Sequence, residues 1–247
     1  MFSPLNATKD EFSYGTGMTK NALLHEKIRR DILDCRLKPG VKLKFDQLCD
    51  HYGSTVGPIR EALMRLVADG LVVLEDRKGF RVAPVSMEQL ADITKTRCEL
   101  EAIAIFHSIQ LGDDRWEAEV VGRLHELAMR PMRSKEDALD ETWENRHKAF
   151  HRSLYAACGS TWMIYFCGLL FDQTDRYRRL WFHQTHGNKR DVAQEHQDLM
   201  EAVISRDKNR AANLIQKHIF ETASTLTPAI TGWRSALERQ VQDGFVA

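Results

Sequence analysis

The feature that most restricts the fold of this chain is the order of short helical and turn segments between residues 18 and 85. Apolar residues recur every three or four positions over Asn21–Cys35, and the turn Pro39-Gly40 then ends this helix. A second, short helix is predicted from Asp46, a good N-cap residue, to His51. A third helix is predicted from Pro58 to Gly70. The last two helices and the short turn between them form a helix-turn-helix.

Two β-prone runs follow the third helix. Leu71–Leu74 and Phe80–Ala83 flank the charged, turn-forming segment Glu75–Gly79, which predicts a small β-hairpin. A helix-turn-helix followed by such a hairpin is the winged DNA-binding arrangement. In that arrangement the second helix of the motif enters the major groove, and the wing reaches the phosphates or the minor groove. The element order therefore predicts a winged helix-turn-helix DNA-binding domain over residues 18–85.

After residue 85 the pattern changes to helices only. About six helices are predicted, and they are Met87–Gln110, Asp114–Met129, Lys135–Ala157, Thr161–Phe182, Lys189–Ser205 and Asp207–Thr227. We expect them to form an all-α bundle over residues 86–230, so that the chain is mainly α. Residues 1–17 are expected to be a flexible N-terminal arm, and residues 231–247 a C-terminal tail.

The net charge is zero overall but is distributed unevenly. Residues 18–85 contain 13 Lys and Arg against 9 Asp and Glu, whereas residues 86–247 contain 21 against 24. The basic segment is the one that contains the helix-turn-helix. A polyanionic partner such as DNA is therefore expected to bind there.

The sequence also predicts where the protein works. No stretch is apolar for the roughly 20 residues that a membrane-spanning helix needs, and the N-terminus has no apolar secretion signal. We therefore expect a cytoplasmic protein that does not bind membranes. The cysteines include no C-x-x-C pair, which favours free thiols in a reducing compartment. They are Cys35, Cys49, Cys98, Cys158 and Cys167.

Four of the ten histidines have spacings that predict a metal site. His147 and His151 are four residues apart in a predicted helix and therefore lie on one face. His196 and His218 lie before and after a predicted hairpin turn near Asp207, each roughly 15 Å from it at ~1.5 Å per residue. The two lie at one level of an antiparallel helix pair, so all four can converge on one divalent ion. Zn²⁺ suits imidazole best on availability, while Ni²⁺ and Cu²⁺ also bind such ligands.

Several segments of the chain resemble a known family. The N-terminal segments are Arg36-Leu37-Lys38-Pro39-Gly40, Pro58-Ile59-Arg60-Glu61-Ala62-Leu63, Asp69-Gly70-Leu71 and Lys78-Gly79-Phe80-Arg81-Val82. They resemble the N-terminal signature of GntR-family transcription regulators. The helical remainder resembles the effector-binding domain of the FadR branch of that family. The segments that carry this second resemblance are Arg97–Glu101, Phe150–Gly159, Glu195-His196 and Arg206–Ile219.

The resemblance implies a metal and effector site in the helical domain. Metal-binding members of the FadR branch hold an aspartate and three histidines, and the aspartate stands where this chain has His147. The resemblance also places Arg97 near the metal, where a bidentate arginine and a cation would bind a small carboxylate or dicarboxylate. An ion pair with a neighbouring acid is the alternative for Arg97. Arg176 and Tyr177 are candidates to line the same cavity, and a plain surface position is the alternative for both.

The resemblance further implies DNA contacts in the recognition helix and the wing. The candidate residues are Thr55, Arg60, Arg65, Lys78 and Gly79. Arg60 lies in the first turn of the recognition helix and is expected to reach base edges, since arginine bonds guanine or phosphate bidentately. The turn before this helix usually reads Val-Ser-Arg-Thr-Pro in the family. Here it reads Ser54-Thr55-Val56-Gly57-Pro58, so that an arginine and a threonine hydroxyl are missing.

Together the residues and the resemblance predict a transcription regulator, acting as a repressor. It would bind a palindromic operator as a homodimer and respond to a small carboxylate. One alternative is a metal-responsive regulator with no organic effector. Another is a histidine-site metallohydrolase, which would use the ion to activate water. That reading lacks a recognisable carboxylate base and leaves the winged domain unexplained.

Overall fold

The computed structural model describes residues 19–134, 139–181 and 190–226. The arm predicted over residues 1–17 and the tail predicted over 231–247 lie outside these ranges. The first domain is a winged helix-turn-helix, as predicted. Its elements are α1 (Lys20–Leu33), β1 (Lys42–Leu43), α2 (Phe45–Tyr52), α3 (Val56–Ala68), β2 (Val72–Glu75) and β3 (Gly79–Val82).

The wing differs from the predicted hairpin because it has a third strand. The antiparallel sheet has the order β1-β3-β2, with β1 paired to β3 through Lys42 and Arg81. A two-residue strand is too short to show an alternating pattern, so the sequence did not reveal it. Helix α2 begins at Phe45, one residue before the predicted start, and no side chain caps it. The Phe45 ring packs edge-on against Phe80 of β3 instead, with 5.9 Å between centroids.

The second domain is the predicted helical bundle. Its described helices are α4 (Met87–Leu111), α5 (Asp114–Ala128), α6 (Glu141–Leu154), α7 (Thr161–Trp181), α8 (Val192–Ile204) and α9 (Lys208–Thr225). Helix α6 begins later than predicted, because the Asp140 side chain accepts a hydrogen bond from the backbone N–H of Trp143 at 2.8 Å and so caps it there. No described helix is long and apolar enough to cross a lipid bilayer.

Helix α7 contacts both domains. On the side of the DNA-binding domain, Arg179 Nη1 lies 3.0 Å from Asp34 Oδ1 at the C-terminal end of α1. Gln173 Nε2 donates a hydrogen bond of 2.8 Å to the backbone carbonyl of Asp69, just after α3. Other residues of the same helix face the interior of the bundle. A change inside the bundle that moves α7 therefore reaches the DNA-binding domain directly.

Gly112 and Gly122 provide a matched test of packing in the bundle. A Cβ at Gly112 would lie 2.0 Å from Cε3 of Trp116, whose indole N–H donates to the carbonyl of Ser153 at 2.8 Å and holds the ring in place. We expect Gly112→Ala to lower the free energy of unfolding by about 1–3 kcal/mol, the usual cost of overpacking. A Cβ at Gly122, within α5, would meet no atom within 4 Å. Gly122→Ala should therefore raise stability by about 0.5–1 kcal/mol in the same urea titration.

Candidate functional site

The four predicted histidines come together in the interior of the bundle. His147 and His151 lie on α6, His196 on α8 and His218 on α9, and all four are buried. One ring nitrogen from each lies within 4.8 Å of those of the other three. The helical spacing of the first pair and the hairpin that joins α8 to α9 bring them to one place.

The distances suit a single metal ion. The Nε2 atoms of His147 and His151 are 3.0 Å apart, and the ring centroids of His196 and His218 are 4.9 Å apart. Two ligand nitrogens of a tetrahedral zinc ion, each at 2.0–2.1 Å, lie roughly 3.3 Å apart. The cluster therefore needs only small side-chain rotations to meet that geometry.

Burial keeps the four imidazoles neutral. It lowers the pKa of His196 to about 3 and lowers the pKa values of His147, His151 and His218 well below the usual value. The positive charge of Arg178 lowers the pKa of His147 further. A neutral imidazole has the lone pair that a metal ion needs, so ligation does not compete with protonation near neutral pH.

The hydrogen bonds around the cluster leave ligand atoms for an ion. Nε2 of His196 is buried and has no hydrogen-bond partner within the described part of the chain. His218 is oriented by Glu195, whose Oε2 lies 2.8 Å from Nδ1, and Arg190 Nε donates to the same carboxylate at 2.6 Å. A carboxylate behind a metal-binding imidazole is the usual way to fix its orientation. The residues present therefore fit a divalent metal ion.

A cavity adjoins the cluster and is lined by two guanidinium groups. It encloses about 290 Å³, including its open mouth. The lining residues beside the histidines are Arg97, Phe171, Thr174, Asp175, Arg178, Ile219 and Thr222. The cavity thus presents two guanidinium groups, each paired with a carboxyl group, beside the histidines.

Arg97 lies in this cavity, as the resemblance implies. Its Nε donates a hydrogen bond of 2.7 Å to Oε1 of Glu101, and its guanidinium lies 5.0 Å from the centre of the Phe171 ring. Glu101 is fully buried, and its Oε2 has no partner among the described residues. Arg97 therefore pairs with a neighbouring acid and also faces the cavity, so the two alternatives for this residue coexist.

Arg178 is the cavity residue that sequence reasoning missed. Its Nη1 donates to Nδ1 of His147 at 2.9 Å, and its Nη2 bonds the carboxylates of Glu144 and Asp175. The signal was present in the sequence, because Phe171, Asp175 and Arg178 recur at helical spacing and share one face of α7.

Arg176 and Tyr177 do not line the cavity, so their predicted placement is wrong. Arg176 is fully buried, and its Nη2 donates to the backbone carbonyl of Ala83, in the connection between the domains. The Tyr177 hydroxyl accepts from the backbone N–H of Ser86 at 3.1 Å and donates to Gln89 at 3.0 Å. Both residues lie on the face of α7 that is turned away from the histidines.

The candidate DNA-binding residues all lie on the first domain. Thr55 precedes α3 and makes no capping hydrogen bond with its side chain. Arg60 is exposed on α3, with its guanidinium 4.9 Å from the Phe45 ring centre. Arg65, farther along α3, pairs with Glu61 at 2.7 Å. Lys78 and Gly79 lie at the tip of the wing, where Gly79 has a φ of 85° that favours glycine.

Comparison with known families agrees with this architecture. The FCD domain matches residues 92–221, and the bacterial regulatory proteins of the gntR family match residues 22–82. The chain belongs to the GntR family. Its two matched regions coincide with the helical bundle that holds the histidines and with the winged helix-turn-helix.

Similar proteins are transcription regulators. The HTH-type transcriptional repressor GlaR of Escherichia coli K12 is 36% identical over 83% of this chain and 94% of its own length. The HTH-type transcriptional regulator BphR of Paraburkholderia xenovorans LB400 is 36% identical over 81% and 82%. Among solved structures, E. coli McbR/YncC has a TM-score of 0.71 at 20% identity, covering 85% of this chain and 98% of that chain, which shows the shared fold. This chain is a DNA-binding transcription regulator and not an enzyme.

The histidine cluster predicts metal content. We expect the purified protein to contain about one divalent ion per chain by elemental analysis, and to melt at a higher temperature with the ion than after chelation, because only the folded state assembles the ligands. His196→Ala should lose the stoichiometric ion, whereas His147→Asp should keep it because a carboxylate is also a ligand. His125→Ala, at an exposed site on α5, is the control. A metal-free protein whose melting temperature ignores chelator and Zn²⁺ would contradict the site.

Proposed function

We propose that this chain is a repressor whose affinity for its operator is controlled by a small carboxylate bound at a Zn²⁺ site in the helical domain. The observation that carries the proposal is the convergence of four buried, neutral imidazoles beside a cavity that Arg97 and Arg178 line. The similarity to the repressor GlaR, at 36% identity, supports repression rather than activation. The protein acts in the cytoplasm, where operator DNA is found.

The metal would be held by His147, His151, His196 and His218. Zn²⁺ is the preferred ion, since neutral imidazoles and a tetrahedral cage suit it. When bound, it supplies a cationic Lewis acid whose charge four neutral ligands leave uncompensated, and this favours an anionic ligand.

The two arginines select the chemical class of the effector. A guanidinium has planar, paired donors that match a carboxylate, and Arg97 and Arg178 present such groups to one cavity. Each also neutralises a buried acid, Glu101 for Arg97 and Asp175 for Arg178, so neither carries an unpaired charge before the effector arrives.

A chain of ion pairs joins this cavity to the DNA-binding domain. Arg178 bonds Asp175, Asp175 also accepts from Arg179 Nε at 3.2 Å, and Arg179 reaches Asp34 of the first domain at 3.0 Å. An anion that draws the Arg178 guanidinium toward the cavity weakens the ion pair between Arg178 and Asp175. Asp175 then pairs more strongly with Arg179, and the ion pair between Arg179 and Asp34 weakens. This changes how firmly α1 is held against α7. This sequence of contacts is the proposed route from effector to operator.

Asp34→Asn tests that route. We expect the variant to bind the effector with unchanged affinity. The change in operator affinity that the effector causes, which is typically 5- to 150-fold for coupled sites, should largely disappear. The measurement is operator affinity by fluorescence anisotropy while a panel of mono- and dicarboxylates is titrated, with the corresponding amides as negative controls. Glu141→Gln is the matched control, because Glu141 also pairs across the domains, with Arg30 at 3.6 Å, but in solvent.

The same titration separates the two kinds of regulator. Operator release by one of the acids, absent for its amide and abolished by chelation, would support the proposal. Operator release by Zn²⁺ or Ni²⁺ alone, with no further effect of any acid, would identify a metal-responsive regulator instead. Retained release in Asp34→Asn would contradict the ion-pair route.

A homodimer would place two winged domains on a palindromic operator, and the bundle has a face suited to it. Trp162, Tyr165 and Phe166 of α7 are exposed and contact one another, with Trp162 stacked on Phe166 at 5.9 Å. Ile103 and Leu111 of the antiparallel neighbour α4 are also exposed. An exposed cluster of large apolar side chains on a domain surface is often an interaction site. A second copy of the chain could cover the same patch symmetrically.

Phe166→Glu tests this interface. A charge at the centre of an apolar interface remains unpaired, so we expect the variant to sediment as a monomer at micromolar concentration while the parent protein sediments as a dimer. The affinity of the variant for a full palindrome should also fall toward its affinity for a single half-site. Met129→Glu, at an exposed apolar residue just after α5, should remain a dimer. A monomeric parent protein would contradict the proposal.

A further inference from the structure

The recognition helix presents an aliphatic side chain where base edges are read. Residues of α3 that face the core, Ile59, Leu63 and Leu66, are fully buried. The opposite face is exposed, and on it Val56 and Arg60 are four residues apart in one row. The N-terminal residues of a recognition helix contact the bases. Val56 is the first residue of α3 and is 47% exposed.

The surroundings of Val56 allow close approach to DNA. Gly57 follows it, and a Cβ at Gly57 would meet no atom within 4 Å, so the space beside this glycine is open. Val56 itself has no polar side-chain atom and cannot form a hydrogen bond with any base. Its contact with DNA must therefore be apolar.

Only one apolar group is displayed in the major groove, the C5-methyl of thymine. We propose that Val56 contacts the methyl group of a thymine in each operator half-site. The proposal rests on the operator-binding role described above, with α3 in the major groove. Side chains four apart on a helix are about 6 Å apart, and base pairs are about 3.4 Å apart along the duplex. The thymine therefore lies within one or two base pairs of the base that Arg60 reaches.

The experiment removes single methyl groups from DNA. The consensus is first selected from a randomised duplex pool with the full-length protein. Each thymine of the selected duplex is then replaced by deoxyuridine, which lacks only the methyl group, and affinity is measured at fixed salt. We expect one thymine per half-site at which the replacement weakens binding about fourfold, the value of one buried methyl group.

Variants of Val56 connect the methyl group to this residue. Val56→Ala should bind the thymine and deoxyuridine duplexes about equally, and Val56→Arg should select guanine in place of that thymine. Val56 is exposed, so these variants should melt at the parent temperature. Val121→Ala, at an exposed valine of α5, should keep the parent methyl dependence.

Two outcomes would overturn the inference, and they differ in what they say about the protein. If a consensus is selected but no thymine is methyl-dependent, or if Val56→Ala keeps the full dependence, then Val56 does not read thymine and the regulator proposal stands. If no consensus is selected at all, the operator-binding proposal fails together with this inference.

Discussion

The interior of the helical domain depends on the guanidinium of Arg178, whose side chain is 12% exposed. It donates to His147 and bonds the carboxylates of Glu144 and Asp175, all of which are buried. Burying a charge is costly unless partners compensate it, so removing any member of this group leaves another without its partner. Burial raises the pKa of Glu144 well above its usual range. The pKa of Asp175 is lowered, because Arg178 and Arg179 outweigh the effect of burial.

The same group of ion pairs connects the histidine cluster with the DNA-binding domain. Asp175 lies between Arg178, which faces the histidines, and Arg179, which reaches Asp34 in the first domain. These ion pairs are largely shielded from solvent and are screened less than surface pairs. In the proposed regulation, a ligand that changes the charge balance beside His147 acts on the contact between the domains through these side chains. Helix α7 carries three of the four charged residues in this chain of contacts.

Much of the architecture could be predicted because its signals are local. Apolar spacing, capping residues and turn residues predicted every described helix, with errors of up to six residues at the ends, and two β-prone runs around a turn predicted the wing. The convergence of His147 with His151 follows from helical spacing, and that of His196 with His218 follows from equal distances to one hairpin turn. Strand β1 was missed because two residues show no period, and its pairing with β3 joins residues far apart in sequence.

The sequence by itself determined which helices form and which histidines share a level. Only the tertiary structure decided which face of α7 meets the cavity. Arg176, Tyr177 and Arg178 are consecutive, and each is compatible with a buried polar position when the helix is considered alone. Successive residues point about 100° apart around a helix, so the rotation of α7 against α4 and α6 places Arg178 beside His147 and turns Arg176 toward Ala83. That rotation is set by packing against residues distant in the chain, which no local pattern records.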